Sequence, residues 1–219
     1  MKSASTFVRE SDEGELLCGI DEAGRGPLAG PVCAAAVILT KEFPVEMLND
    51  SKKLSPMARE KLKGLICRGA AAWGIGWASA AEIDEINIHK ASLLAMKRAF
   101  EAMIADAARP ESSELNPSGF NSARFPKIRA VADGLFVPDI SVPCEPLVKA
   151  DSLVPEVMAA SILAKTARDR LMEYYGLFCP QYGYEKHKGY PTKAHREAIL
   201  RWGPSPIQRL SFSVKAVRA

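Results

Sequence analysis

Four carboxylates stand at the ends of apolar segments, where a fold could bring them together. Asp21 and Glu22 follow the run Leu16-Leu17-Cys18-Gly19-Ile20. Asp133 closes Lys127–Ala132, and Asp151 follows Ile140–Val148. Each run reads as a strand. If the strands lie side by side, the acids meet and repel, and their charge calls for divalent cations. Oxygen ligands without a His or Cys cluster favour Mg²⁺ or Mn²⁺ over zinc. Two such ions about 3.5–4 Å apart can activate a water and steady the leaving oxygen of a phosphodiester. Immediately after the first pair comes Gly24-Arg25-Gly26, a turn whose glycines let a ligand approach the main chain. From this stretch alone, a surface turn with solvated acids is the alternative. One conflict is built in: neighbours on a regular strand face opposite ways, so Asp21 and Glu22 cannot both enter one site from an ideal strand.

Asp21-Glu22-Ala23-Gly24-Arg25-Gly26-Pro27-Leu28-Ala29-Gly30-Pro31-Val32 resembles the opening motif of ribonuclease HII. The family's other landmarks follow in order: Asp50-Ser51-Lys52-Lys53-Leu54, Ala132-Asp133-Gly134, Lys149-Ala150-Asp151-Ser152 and Ala159–Lys165. Arg168-Asp169-Arg170, His187-Lys188-Gly189-Tyr190 and Gly203-Pro204-Ser205-Pro206-Ile207 complete the set, so the resemblance runs from Leu16 to Phe212. It implies an α/β ribonuclease H-like fold: a five-stranded mixed sheet flanked by helices, with a C-terminal helical portion. It implies an endoribonuclease that hydrolyses the RNA strand of RNA–DNA hybrids and incises at ribonucleotides embedded in duplex DNA, leaving 3′-hydroxyl and 5′-phosphate ends.

The same resemblance assigns Asp21, Glu22, Asp133 and Asp151 as the metal-binding catalytic acids, holding two Mg²⁺ or Mn²⁺ ions. Gly24, Arg25, Gly26 and Tyr190 would recognise the ribonucleotide. RNA is told from DNA by a 2′-hydroxyl that donates and accepts hydrogen bonds, which exposed backbone can answer. Lys52, Lys165 and Lys188 are the expected phosphate contacts, with Lys53, Arg168 and Lys186 as weaker candidates. Asp169, between Arg168 and Arg170, reads as a helix-surface salt bridge. The chain departs from the commoner pattern at Ala150, where glycine often precedes the aspartate, at Pro155-Glu156 and at Pro191. Gln208-Arg209-Leu210-Ser211-Phe212 loosely resembles a sliding-clamp-binding peptide, but also the family's own closing segment, the preferred reading.

The elements that must position these residues are legible in outline. Leu16–Ile20 and Gly30–Leu39 should form an antiparallel hairpin, and Ala70–Ala78 a third strand. Ser55-Pro56 opens a helix, and Ser79 with Glu82 fits a capping box before a longer one carrying Leu93, Met96, Phe100 and Met103 on one face. Pro143 and Pro146 put Ile140–Val148 at a sheet edge. Pro155–Tyr174 reads as a helix whose small side chains lie close to the sheet. The last helix starts after Thr192 and stops at Gly203-Pro204. Gly74-Ile75-Gly76 is too short for a nucleotide fingerprint.

Residues 1–15 read as a polar leader, 16–212 as the catalytic domain with a surface insertion at 109–126, and 213–219 as a tail. A chain of 219 residues with 47% hydrophobic and 25% charged content suits one soluble domain. The net charge of +3 argues only weakly for a polyanionic partner. Five scattered cysteines without a C-x-x-C pair disfavour disulfides and zinc, and suit a reducing compartment. With no signal peptide and no membrane span, the protein is expected in the cytoplasm, as a monomer. The rivals are a resolvase- or transposase-like nuclease acting on DNA, a silent hybrid-binding module lacking an acid, and a nucleotide binder. The last lacks P-loop spacing.

Overall fold

The computed structural model describes residues 15–48, 54–107 and 127–213. The leader up to Gly14, the stretch with Lys52 and Lys53, the insertion and the tail beyond Ser213 lie outside these residues. A five-stranded sheet, β1 (Leu16–Ala23), β2 (Val32–Leu39), β3 (Ala70–Ala78), β4 (Ile128–Asp133) and β5 (Cys144–Leu147), is arranged in the order β3-β2-β1-β4-β5. The β1–β2 and β2–β3 pairs are antiparallel, whereas β1–β4 and β4–β5 are parallel. The mixed sheet is the expected one. Its proline-bearing strand β5 is an edge and is shorter than the sequence suggests.

The helices are α1 (Pro56–Gly69), α2 (Ala80–Ala107), α3 (Pro155–Phe178), the short turn α4 (Tyr184–His187) and α5 (Lys193–Trp202). Capping follows the sequence. Ser55 accepts a hydrogen bond from Ala58 N, Ser79 and Glu82 bond reciprocally, and Thr192 accepts one from His195 N. α2 is broken at Asn87 (φ 68°), whose side chain accepts from Lys90 N and caps the second half.

The two faces of β1 and β2 carry the two main cores. Ile20, Ala34 and Ala36 pack with Ala95, Met96, Ala99, Phe100 and Met103 of α2. Cys33, Ala35 and Val37 pack with Ala159, Ala160, Leu163 and Ala164 of α3. Small side chains on strand and helix let these surfaces approach closely. Gly74 and Gly76 are an extreme case: an added Cβ would sit 2.4 Å from Ala99 O and 2.2 Å from Ala95 O. They are there to admit α2, not a nucleotide. No described helix is long and apolar enough to cross a membrane.

Candidate metal centre and ribose-reading turn

The sheet order explains the meeting of distant acids. β1 and β4 are adjacent and parallel, so their C-terminal ends coincide, with Ile20 beside Ala132 and therefore Asp21 near Asp133. Asp21 pairs with Ala35 on β2, which faces α3, and Ser161 of α3 hydrogen-bonds its carboxyl. Val131, two residues before Asp133, packs against Val157 of α3, so Asp133 shares that side. The third acid arrives after β5. Lys149 takes a left-handed conformation (φ 62°) and turns the chain into one 3-10 turn, Ala150–Ser152. Ala150 is buried against Val131, Val154 and Val157, and its N–H donates to Asp133 Oδ1 at 2.7 Å. The left-handed residue is Lys149 rather than Ala150, so alanine fits here.

Carboxylate oxygens of Asp21, Asp133 and Asp151 all lie within 4.8 Å of one another. Glu22 faces the other way. It pairs with Ala34, on the α2 side, and bonds Arg25 Nη1 at 3.3 Å through Oε1. Its second oxygen, Oε2, is buried without a hydrogen-bond partner. Alternation along β1 therefore holds, and Glu22 borders the group of three from across the strand. Burial, and then the Glu22 charge, push the Asp21 carboxyl well above the usual carboxylate range. Burial likewise raises Glu22, against the pull of Arg25. Crowded carboxylates and an orphaned oxygen fit a hard divalent cation, which would relieve both.

The turn following Glu22 does not expose all of its motif. Gly24 is buried at φ 98°, and an added Cβ would lie 1.9 Å from Arg168 Nε. Arg25 and Gly26 are exposed, and the space above Gly26 ends at the Tyr190 ring, 3.9 Å from where a Cβ would be. Lys165, one helical turn beyond Ser161, has Nζ 5.8 Å from the Tyr190 ring centroid and 2.7 Å from Asp169 Oδ1. Lys188 bonds Glu173 at 2.8 Å. Two expected phosphate contacts thus already have acidic partners. Asp169 is ion-paired as expected, but with Lys165 and Arg59 rather than with its neighbours.

Arg168 differs most from the surface cation expected. It is 1% exposed and donates to Pro31 O, Lys188 O and Ala29 O. Arg209, never singled out from sequence, is also fully buried. Its neighbour Gln208 donates to Leu28 O, and Asp84 on α2 accepts from Leu210 N and Ser211 N. The clamp-like segment is thus folded against the turn. A signal for Arg168 did exist: with Ser161, Ala164 and Met172 it falls on one helical stripe of buried residues. Nothing comparable marks Arg209.

Sequence comparison decides what this arrangement belongs to. The family model for ribonuclease HII matches residues 18–215. The chain belongs to the ribonuclease HII family. It is 54% identical over 203 residues to the ribonuclease HII of Treponema denticola, covering 91% of this chain and 99% of that one. Among solved structures, it resembles the ribonuclease HII in the PCNA complex from Archaeoglobus fulgidus (TM-score 0.67, 24% identity, 93% and 98% of the two chains). It also resembles Bst-RNase HIII in complex with Mn²⁺ (TM-score 0.66, 18% identity, 92% of this chain and 68% of that one). These two likenesses concern the fold. As a member of this family, the protein is a metal-dependent endoribonuclease acting on RNA–DNA hybrids.

Proposed function

We propose that the chain cuts both RNA–DNA hybrids and duplex DNA at embedded single ribonucleotides, with Asp21, Glu22, Asp133 and Asp151 as its metal-binding acids. The observation that carries this reading is the convergence of three carboxylates beside a turn whose open face is bounded by a tyrosine. Asp21, Asp133 and Asp151 would share the ions, and Glu22 would reach them through its unpartnered Oε2. Two Mg²⁺ or Mn²⁺ ions, when bound, supply an activated water and stabilise the leaving oxygen. The hard oxygen donor set does not choose between them.

The residues supply the rest. Ser161 and the Glu22 N–H, 2.7 Å from Asp21 Oδ1, fix the Asp21 carboxylate; the Ala150 N–H fixes Asp133. The ribonucleotide would sit with its 2′-hydroxyl against the backbone at Arg25 and Gly26, and its neighbouring sugar against the exposed Tyr190 ring. Lys165 and Lys188 would exchange Asp169 and Glu173 for phosphates as the duplex arrives.

The cysteines are all free, which supports a reducing compartment such as the cytoplasm. A sliding clamp is the second reading for partners, favoured by the PCNA complex of the Archaeoglobus fulgidus protein. If a clamp takes Gln208–Phe212 here, it must draw Arg209 out from beneath the turn.

Labelled duplexes with zero, one or several ribonucleotides, incubated with Mg²⁺, Mn²⁺ or chelator, test the reading. Cleavage requires a ribonucleotide and a metal. Asp21→Asn and Asp133→Asn each lower turnover by about 1,000-fold or more while the hybrid still binds. Equal cutting of the all-DNA duplex would favour the resolvase-like rival; unaltered turnover in both variants would remove the site.

A further inference from the structure

Arg209 lies directly under the turn assigned to ribose reading. Its Nε donates to Gly30 O (2.8 Å), Nη1 to Arg25 O (2.9 Å) and Pro27 O (2.8 Å), and Nη2 to Gly24 O (2.6 Å). The backbone reinforces this hold, because Arg209 N donates to Leu28 O and Gly30 N to Ile207 O. Arg168 takes Ala29 O and Pro31 O from the neighbouring side and ties both to Lys188 O, two residues before Tyr190. The two guanidiniums therefore bind a nearly continuous row of carbonyls.

This arrangement is expensive for stability. Burial, together with the positive charge of Arg168, pushes the Arg209 guanidinium down to about 9. The charges facing it from surrounding elements are Arg168 on α3 and Asp84 on α2, with Tyr190 in the adjoining loop. Nearly all of its compensation is backbone carbonyl oxygen. A buried cation matched in this way fixes the orientation of peptide planes more than it adds net stability.

The consequence is geometric. In a trans peptide, the N–H of the following residue points opposite to the carbonyl. With Gly24 O and Arg25 O drawn inward onto Arg209, the N–H groups of Arg25 and Gly26 are turned outward, where both residues are exposed. Outward N–H groups are the donors that a 2′-hydroxyl oxygen needs.

We propose that Arg209 is a positioning residue for ribose discrimination, setting the peptide planes of Gly24–Gly26 so that their N–H groups face the substrate sugar. The inference rests on reading that turn as the ribose sensor. A lysine cannot replace the arginine here, since one ammonium has no rigid fork to reach carbonyls on several sides.

The test compares Arg209→Lys, Asp84→Ala and Gly26→Ala with the parent enzyme. Duplexes with one ribonucleotide or none are titrated in Ca²⁺ to hold cleavage off, then cleaved in Mg²⁺. For Arg209→Lys, the binding preference for the ribonucleotide collapses and kcat/KM on that duplex falls about 10- to 100-fold. Mn²⁺ affinity of the substrate-free protein stays within about twofold, which a general loss of structure would not allow. Asp84→Ala, which loosens the same segment while keeping Arg209, shifts the preference in the same direction by a smaller factor. A folded Arg209→Lys with parental preference overturns the proposal; if that variant does not fold, a parental preference in Asp84→Ala overturns it. Should Gly26→Ala also leave the preference intact, the turn itself is not the sensor. Loss of preference in Gly26→Ala alone removes only the role of Arg209.

Discussion

A methyl group added at Gly24 would press on Arg168 Nε, a side chain already fixed by three carbonyls, at a φ of 98° that alanine resists. At Gly26 the same methyl meets only the Tyr190 ring at ordinary contact distance. The two substitutions should therefore fail differently. Gly24→Ala lowers stability by about 2–5 kcal/mol, seen as a reduced Tm with or without substrate. Gly26→Ala changes stability by no more than about 0.5 kcal/mol, yet raises KM for a duplex with one ribonucleotide, because the methyl occupies the substrate's space. Identical Tm values for the two variants would contradict this division. At the same scale, the sequence expected four acids to meet; the structure brings Asp21, Asp133 and Asp151 together, and where Glu22 points could not be read from the sequence. Strict alternation along β1 answers that, because the strand stays regular through Ala23.

The loop between α4 and α5 carries Tyr190, and two histidines support it from below. His187 and His195 stack with ring centroids 4.5 Å apart. His195 donates through Nδ1 to Tyr190 O, while His187 Nε2 bonds Tyr182 O. Burial, helped by the positive charge His187 can acquire, lowers His195 to about 4 from an ordinary 6.5. A histidine held below its unfolded value stabilises the fold above pH 6.5, and that contribution is lost as pH falls towards 4. The loss is about 2 kcal/mol by pH 5 and about 3 kcal/mol by pH 4. Melting at pH 7 and pH 5 should show a larger drop for the parent than for His195→Asn, which keeps a donor for Tyr190 O without a titrating ring. Equal drops would mean that this pair plays no part in acid sensitivity. Capped helices and β-rich strands in this molecule were readable because local chemistry decides them, as at Ser55, Ser79 and Thr192. The burial of Arg209 was not, because it depends on a turn lying across the fold. The break at Asn87 and the burial of Arg168 were passed over, although Asn87 caps Lys90 N locally and Arg168 shares a buried stripe with Ser161, Ala164 and Met172.

Over the molecule as a whole, the sheet order does the work of assembly. Only with β1 beside β4, and β5 next outward, do acids so distant in sequence share one small volume. Burial, and then the repulsion of neighbouring acids, raise the Asp21 carboxyl there, and a divalent cation would relieve both. Saturating Mg²⁺ or Mn²⁺ should therefore raise Tm, by about 3 kcal/mol of stability at one hundred times Kd. Chelator reverses the gain and Asp21→Asn removes most of it. A metal-independent Tm in the parent would argue against resident ions.

Arg209 reaches Arg25 of the opening motif across 184 positions of sequence. During synthesis, the acids, the sheet and the turn all leave the ribosome before the arginine that bonds the turn's carbonyls. On the role proposed for Arg209, a product halted after Ile207 would keep the cluster of Asp21, Asp133 and Asp151 while losing its preference for a ribonucleotide.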